Sequence, residues 1–385
     1  MNSSLSGRKP RVIDVLFLIR GLDRGGSERQ ITMLARGLMN DGLRVTLATL
    51  YSGGAFAECL AEAGIPLISL AKTSRWNLWA PFVRYCKLLR RVRPRVVYSF
   101  LPVSNVLTTP TRIVAPGTRV VWGIRASAVD YAHYGAFASF VNRVESALSW
   151  VPNCSIANSV QGKRDAVTRG FNPERVMVVA NGIDCDAFKF EPVGRAKLRG
   201  KWAIAPDTFV VGMVARFDPM KGHEDFLDAI PIVRDARVRA RFVCIGPDTA
   251  GRRAAMVNRS RDLNIADLVL FPDMEGSMSS VFSALDVVVS ASRFGEGFSN
   301  SIAEALACER VCIATDIGDA RQIVADAGWI VPGYDPPALA KAMLSAFDIG
   351  EAQRLNRGRM GRQRVLDLFS VELCCRTTAK VLGVR

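Results

Sequence analysis

Short, apolar, β-branched runs alternate along the whole chain with segments whose apolar positions recur at helical spacing. In the first half this pattern predicts strands at Val12–Ile19, Arg44–Thr49, Val96–Ser99, Val120–Gly123, Ser155–Ala157 and Val176–Val179, with helices at Ser27–Met39, Phe56–Ala63 and Pro81–Arg91. The second half restarts the alternation, with strands at Phe209–Val214, Phe242–Ile245, Leu268–Phe271, Val287–Val289 and Val311–Ala314. Strands regularly separated by helices are the pattern of doubly wound α/β domains, so two Rossmann-like halves are expected. Asn181-Gly182 supplies turn chemistry and Glu191-Pro192-Val193-Gly194 interrupts the pattern, which divides residues 1–190 from 191–365. A last helix, about Ser370–Leu382 within 366–385, follows the basic stretch Arg354–Arg364 and can pack on either domain.

Composition narrows the class. The chain has 385 residues, 49% of them hydrophobic, enough for two cores, and that share excludes a disordered chain. No apolar run approaches the ~20 residues needed to span a bilayer. The polar stretch Met1–Pro10 lacks the apolar segment of a signal peptide, so a cytosolic protein is expected. Nine cysteines, with no CxxC pair, are expected to be reduced, and two histidines exclude a His-rich metal site.

The net charge of +15 is uneven. Residues 1–190 hold 25 Lys and Arg against 12 Asp and Glu, whereas residues 191–385 hold 26 against 24. A nucleic acid, a membrane surface or a phosphorylated substrate would each suit the basic half. Eight Lys or Arg lie between Lys72 and Arg95, interleaved with Trp76, Trp79, Phe82 and Tyr85. Basic residues with interfacial aromatics on a helix suit adsorption to anionic headgroups, and a scaffold helix with a solvated charged face is the plainer reading.

Three segments carry candidate chemistry. Gly21-Leu22-Asp23-Arg24-Gly25-Gly26-Ser27-Glu28 joins the first strand to its helix; glycines there let backbone N–H groups approach an anion, or simply make a tight turn capped by Ser27. Arg216 and Lys221 follow the strand Phe209–Val214, where ligands bind in open α/β sheets, and form either a diphosphate clamp or a solvated pair. In Glu296-Gly297-Phe298-Ser299-Asn300-Ser301-Ile302-Ala303-Glu304 the first carboxylate stands in a glycine-flanked loop and the second on the helix that follows. Glu296 can accept from sugar hydroxyls, the N–H groups of residues 297–300 can face a phosphate, and Glu304 can reach a ribose. Ser301-x-x-Glu304 also fits a capping box.

Together these segments resemble the retaining GT-B glycosyltransferases of family 4. Gly25-Gly26-Ser27-Glu28 is similar to the family's GGxE loop, and Asn181-Gly182-Ile183-Asp184 to its interdomain NG(V/I)D segment. Gly212 to Arg216 with Lys221-Gly222 resembles its phosphate clamp, Ile245-Gly246 its second glycine turn, and Glu296 to Glu304 its E-x7-E motif. The resemblance implies an α/β GT-B fold whose two Rossmann-like domains face each other across a cleft, with acceptor in the first and a UDP- or GDP-sugar donor in the second.

By the same resemblance Arg216 and Lys221 neutralise the diphosphate and Glu296 with the backbone of Gly297, Phe298, Ser299 and Asn300 holds the sugar. Glu304 then holds the ribose, and Gly25 and Gly26 approach the phosphates. Gly246 to Thr249, Phe271 to Met274 and Phe294 shape donor choice. No cofactor and no metal are implied, so Asp184-x-Asp186, a superficial DxD in the hinge, is not read as a metal site. The family's acceptor-side His is missing after the first-domain strand; Arg125, then His133, is the candidate in its place. The expected acceptor is a lipid-linked molecule or a glycan, in cell-surface polysaccharide or glycolipid synthesis, reached from a peripheral position on the cytoplasmic face of the membrane. The alternatives are a nucleotide-sugar epimerase of the same fold and a non-enzymatic nucleic-acid binder. The first would lack the Arg-Lys and E-x7-E combination, and the second finds no RNP, KH or zinc-knuckle pattern here.

Overall fold

A computed structural model describes residues 13–23, 25–74, 77, 79–125, 136–236, 239–248, 251–274 and 276–384. Among them the strands form two parallel sheets. The first contains β1 (Val15–Ile19), β2 (Val45–Thr49), β3 (Leu67–Ser69), β4 (Val96–Phe100), β5 (Arg119–Ile124), β6 (Cys154–Ala157) and β7 (Val176–Val178), in the order β3-β2-β1-β4-β5-β6-β7. The second contains β8 (Phe209–Val214), β9 (Ala240–Ile245), β10 (Val269–Leu270), β11 (Val287–Ser290), β12 (Val311–Thr315) and β13 (Gly328–Val331), in the order β10-β9-β8-β11-β12-β13.

Every residue of β1, β2, β4 and β8 is buried, because helices cover both faces of each sheet. Each sheet reverses its order beside its first strand, β1 next to β4 and β8 next to β11. That reversal opens a crevice at the carboxyl ends of the strands, where ligands of such sheets bind. The sequence reading contained no strand at Leu67–Ser69 or Gly328–Val331. Both are edge strands of only three or four residues and mostly half-buried.

The chain crosses between the domains twice, side by side. Ile183 N–H donates to Phe369 O at 2.7 Å and Val371 N–H to Ile183 O at 3.0 Å. The helix Gly350–Phe369 therefore packs with the second domain, while Val371–Leu382 returns to the first, where Cys374, Cys375, Ala379 and Leu382 join the core of Leu34, Ala35 and Leu38. Gly37 permits that return: a methyl group there would stand 2.3 Å from Cys375 Sγ. All nine cysteines are unpaired and seven are buried.

The helix Trp79–Val92 buries Pro81, Tyr85, Leu88 and Leu89 and leaves Trp79, 75% exposed and stacked on Phe82, facing outward with Arg90 and Arg91 in its last turn. Arg84 is tied to the scaffold, donating to the carbonyls of Leu70 and Ala71. Trp76 and His133 lie outside the described residues.

Candidate functional site

Loops at the strand ends of both sheets meet between them. After β8, Asp218 caps a short turn by accepting from Met220 N–H at 3.0 Å, and Gly222 takes φ +70°. A methyl group on Gly222 would stand 2.0 Å from Ala291 O, so the turn lies against the end of β11. That packing brings Lys221 to Glu296, with which it forms an ion pair. Ser292 Oγ donates to the same carboxylate oxygen at 3.0 Å. Arg216 is more exposed and pairs with Asp218 at 3.0 Å.

The first domain supplies the opposite wall. Gly25 is the extended residue before the helix Gly26–Asn40, and a methyl group on Gly26 would stand 3.1 Å from Asn300 Nδ2, so the glycine turn touches the start of the second domain's helix Asn300–Ala307. Burial lifts the Glu28 carboxyl above the ordinary range, against the pull of a backbone N–H, of Arg20 and, most weakly, of Arg216 in the second domain. The second-domain wall of the gap thus carries the pairs Arg216–Asp218 and Lys221–Glu296.

Gly246 permits a close turn, since a methyl group on it would stand 2.0 Å from Ala215 O. Met274 is 42% exposed, beyond the edge strand β10. The Phe298 side chain turns away from the gap and packs on Phe369, centroids 5.2 Å apart. Ser299 is the N-cap residue of the helix Asn300–Ala307, so Ser301 lies inside the first turn and the capping-box geometry for Glu304 is not formed.

Glu304 instead pairs with Arg29 of the first domain. Burial pushes its carboxyl up to about 7, against the pull of the guanidinium. A cavity of about 600 Å³ opens on the hinge side of this pair, walled by Arg36, Gly182, Phe188 and Arg376. A carboxyl that titrates higher folded than unfolded holds its proton more tightly when folded, so its contribution to stability is greatest below ~4.3 and declines as pH rises toward 7. The melting temperature is expected to fall across this window, and Glu304→Gln to flatten that part of the profile. An unchanged slope in the variant would place the titration elsewhere.

Arg125, at the end of β5, stacks on Phe100 at 3.8 Å and donates to Tyr98 Oη at 2.6 Å and Asn181 Oδ1 at 3.2 Å. Asn181 in turn donates to Asn300 Oδ1 at 2.9 Å. This chain fastens the first sheet to the hinge and to the Glu296–Glu304 segment. A guanidinium offers N–H donors and no acceptor, so Arg125 can hold a negative group there but not take up a proton. Asp184 Oδ1 accepts from the N–H groups of Asp186 and Ala187, which makes the hinge DxD a turn cap.

Sequence reasoning missed Arg29, Ser292, Asn158 and Asp319. Asn158, at the end of β6, is 3% exposed, and its Oδ1 has no hydrogen-bond partner among the described residues. A methyl group on Gly297 would stand 2.7 Å from that oxygen. Arg29 could have been found as the neighbour of Glu28 in the glycine turn, whereas Asn158 lies in no motif. His223 is buried against Phe217, and burial pushes its imidazole down to about 4, so it is neutral near pH 7.

Two Rossmann-like sheets with facing strand ends, linked by a double crossing, define the GT-B glycosyltransferase fold. The sequence model for "Glycosyl transferases group 1" matches residues 208–348, and that for "Glycosyltransferase Family 4" matches residues 24–187. The chain belongs to these family 4, group 1 glycosyltransferases.

It is similar to D-inositol 3-phosphate glycosyltransferases, 32% identical over 183 residues to that of Actinosynnema mirum, covering 45% of this chain and 43% of that protein. For that of Streptomyces bingchenggensis the values are 30% over 218 residues, 53% and 47%. The chain spans about half the length of the curated relatives it matches. Among solved structures, Anabaena HepE in complex with UDP-glucose is similar with a TM-score of 0.84 at 20% identity, covering 97% of this chain and 100% of that one. Sucrose-phosphate synthase from Thermosynechococcus elongatus gives 0.78 at 19% identity, covering 96% and 98%.

Proposed function

We propose that the protein transfers a sugar, with retention and without a metal, from a UDP- or GDP-sugar to an anionic acceptor, lipid-linked, glycan or phosphorylated polyol. The observation that carries this reading is the Lys221–Glu296 pair at the gap between the domains, beside Arg216 and the helix starting at Asn300. A donor would exchange partners: its diphosphate takes Lys221 and Arg216, and its sugar hydroxyls take Glu296. Charge grows on the diphosphate as the bond from the anomeric carbon to phosphate oxygen breaks, and two fixed cations stabilise it without reorganising. As the bond to the acceptor oxygen forms on the same face, the acceptor's proton passes to the leaving phosphate. Glu304 accepts from the ribose once Arg29 moves aside.

The named activity of the relatives and the UDP-glucose held by HepE support a nucleotide-sugar donor. The test is to offer each UDP- and GDP-sugar with inositol phosphate or a polyprenyl-phosphate-linked glycan, with and without EDTA. Product whose anomeric configuration equals the donor's, formed equally with EDTA, is expected; inversion, or loss of turnover with EDTA, would overturn the mechanism.

The basic first domain supports a peripheral position at an anionic membrane, and no helix among the described residues is long and apolar enough to cross one. Trp79, Ile113, Phe140 and Trp150 are exposed apolar residues of this domain, at 75%, 86%, 62% and 69%. Helices carrying exposed aromatic and basic residues adsorb to headgroups, with about 1 kcal/mol per Lys or Arg near the surface. Flotation with anionic vesicles is expected at low salt, weakened by Trp79→Ala with Arg90→Glu and Arg91→Glu. Equal flotation with neutral vesicles would contradict it.

A further inference from the structure

We infer that Asp319 is a positioning residue, a latch that fastens the acceptor domain to the loop carrying Glu296 and so holds the cleft closed during transfer. The catalytic half of this inference rests on the donor-sugar reading of Glu296; the latch itself does not.

Asp319 follows β12 in the second domain and is buried, yet its carboxylate is bound by the first. Oδ2 accepts from Val160 N–H at 2.7 Å and Oδ1 from Gln161 N–H at 3.0 Å. These are the first two amides of the helix Val160–Thr168, which an intrahelical ladder leaves without partners. Ser159 serves the next position, accepting from Gly162 N–H at 2.8 Å. A carboxylate at the positive end of a helix is favourable, and here it comes from the other domain, 159 residues away in sequence from Val160.

The same residue grips the sugar loop. Asp319 N–H donates to Gly297 O at 2.9 Å. Gly318 takes φ +63°, and a methyl group on it would stand 2.4 Å from Gly297 O and 2.6 Å from Glu296 O, so the two loops interlock. On the far side, a methyl group on Gly297 would meet Asn158 Oδ1 at 2.7 Å and Ser159 Oγ at 2.9 Å. One residue, by its carboxylate on one side and its backbone N–H on the other, thus joins the helix start of the acceptor domain to the residue next to Glu296. Parting the domains breaks both carboxylate bonds together and frees the loop on the acceptor-domain side.

Closure of this kind excludes water from an activated donor. Loss of the latch should therefore raise the share of donor sugar passed to water rather than to acceptor, a ratio that general destabilisation does not move. The experiment compares wild type with Asp319→Ala, Asp319→Asn and Val160→Pro. The last removes one amide from the acceptor-domain side and leaves Asp319 and the sugar loop intact, and proline is tolerated at a first helical position.

Small-angle scattering without ligand is expected to show a larger radius of gyration for Asp319→Ala and Val160→Pro, with Asp319→Asn between. Transfer turnover should fall at least tenfold in Asp319→Ala, UDP affinity should change less than threefold, and the hydrolysis-to-transfer ratio should rise. An unchanged radius in both Asp319→Ala and Val160→Pro would overturn the latch. An unchanged ratio, or UDP affinity lost in step with turnover, would overturn the positioning role. Failure of wild type to consume any nucleotide sugar would refute the donor reading alone, because the scattering comparison still decides the latch.

Discussion

Glu296→Ala is expected to lower kcat/KM for sugar transfer by on the order of 10²–10³, as removal of one preorganised polar group from a reaction centre does. The carboxylate sits in a loop between β11 and the helix Asn300–Ala307, held by Ser292 at 3.0 Å and by Lys221. Its loss leaves the Lys221 ammonium, only 20% exposed, without this partner, at a cost of about 1–3 kcal/mol in the protein without donor. The two effects separate in experiment. The melting temperature should drop modestly without ligand and recover with UDP, whose phosphates restore a counter-charge to Lys221, whereas turnover should not recover. Wild-type turnover in Glu296→Ala would mean that the sugar is held elsewhere.

Asp286→Ala is expected to produce the largest loss of stability. This carboxylate, just before β11, accepts from Arg195 at 2.6 Å, Arg199 at 2.7 Å and Val210 N–H at 2.7 Å. Arg199 is 4% exposed, so the substitution strands a buried guanidinium and opens a strand amide. Breaking a buried pair from one side costs about 3–5 kcal/mol, a large part of the ~5–15 kcal/mol that holds a domain together. Burial alone would lift the Asp286 carboxyl, but Arg195 and Arg199 outweigh it and hold it below the usual carboxylate range. Its stabilisation is therefore complete above the unfolded value of about 3.9 and is lost as pH falls through the lower folded one. Denaturant unfolding of wild type and variant should differ by several kcal/mol at neutral pH and converge in strong acid. A difference under about 1 kcal/mol at neutral pH, the level of an exposed pair, would contradict the buried triad.

The features legible in the sequence were those with local cause. Fully apolar runs marked the inner strands, and glycines with charged residues marked the loops after them; Lys221 and Glu296, 75 residues apart, meet because β8 and β11 are neighbours. The short edge strands β3 and β13 escaped, although the equally short edge strands β7 and β10 did not. Glu304 carries the clearest lesson. Its spacing allows either a ribose contact or a cap with Ser301, but its partner in the structure is Arg29, 275 residues away, which no local spacing foretells. Asp319 and Asn158 were silent for the same reason: nothing in a single segment says that it will face another domain. Arg125 is the sequence's candidate for the acceptor side, and its contacts with Tyr98, Phe100 and Asn181 are set by the end of β4 and the hinge, which no local pattern foretells.

The central claim is that Lys221 and its neighbours grip a nucleoside diphosphate, and titration calorimetry of UDP and GDP into wild type and Lys221→Ala tests it most directly. A charge-assisted phosphate contact is worth about 1.5–3 kcal/mol, so one of the two nucleotides should bind wild type and bind Lys221→Ala some ten- to a hundredfold more weakly. Equal affinity in the two proteins, or no binding of either nucleotide to wild type, would contradict the account.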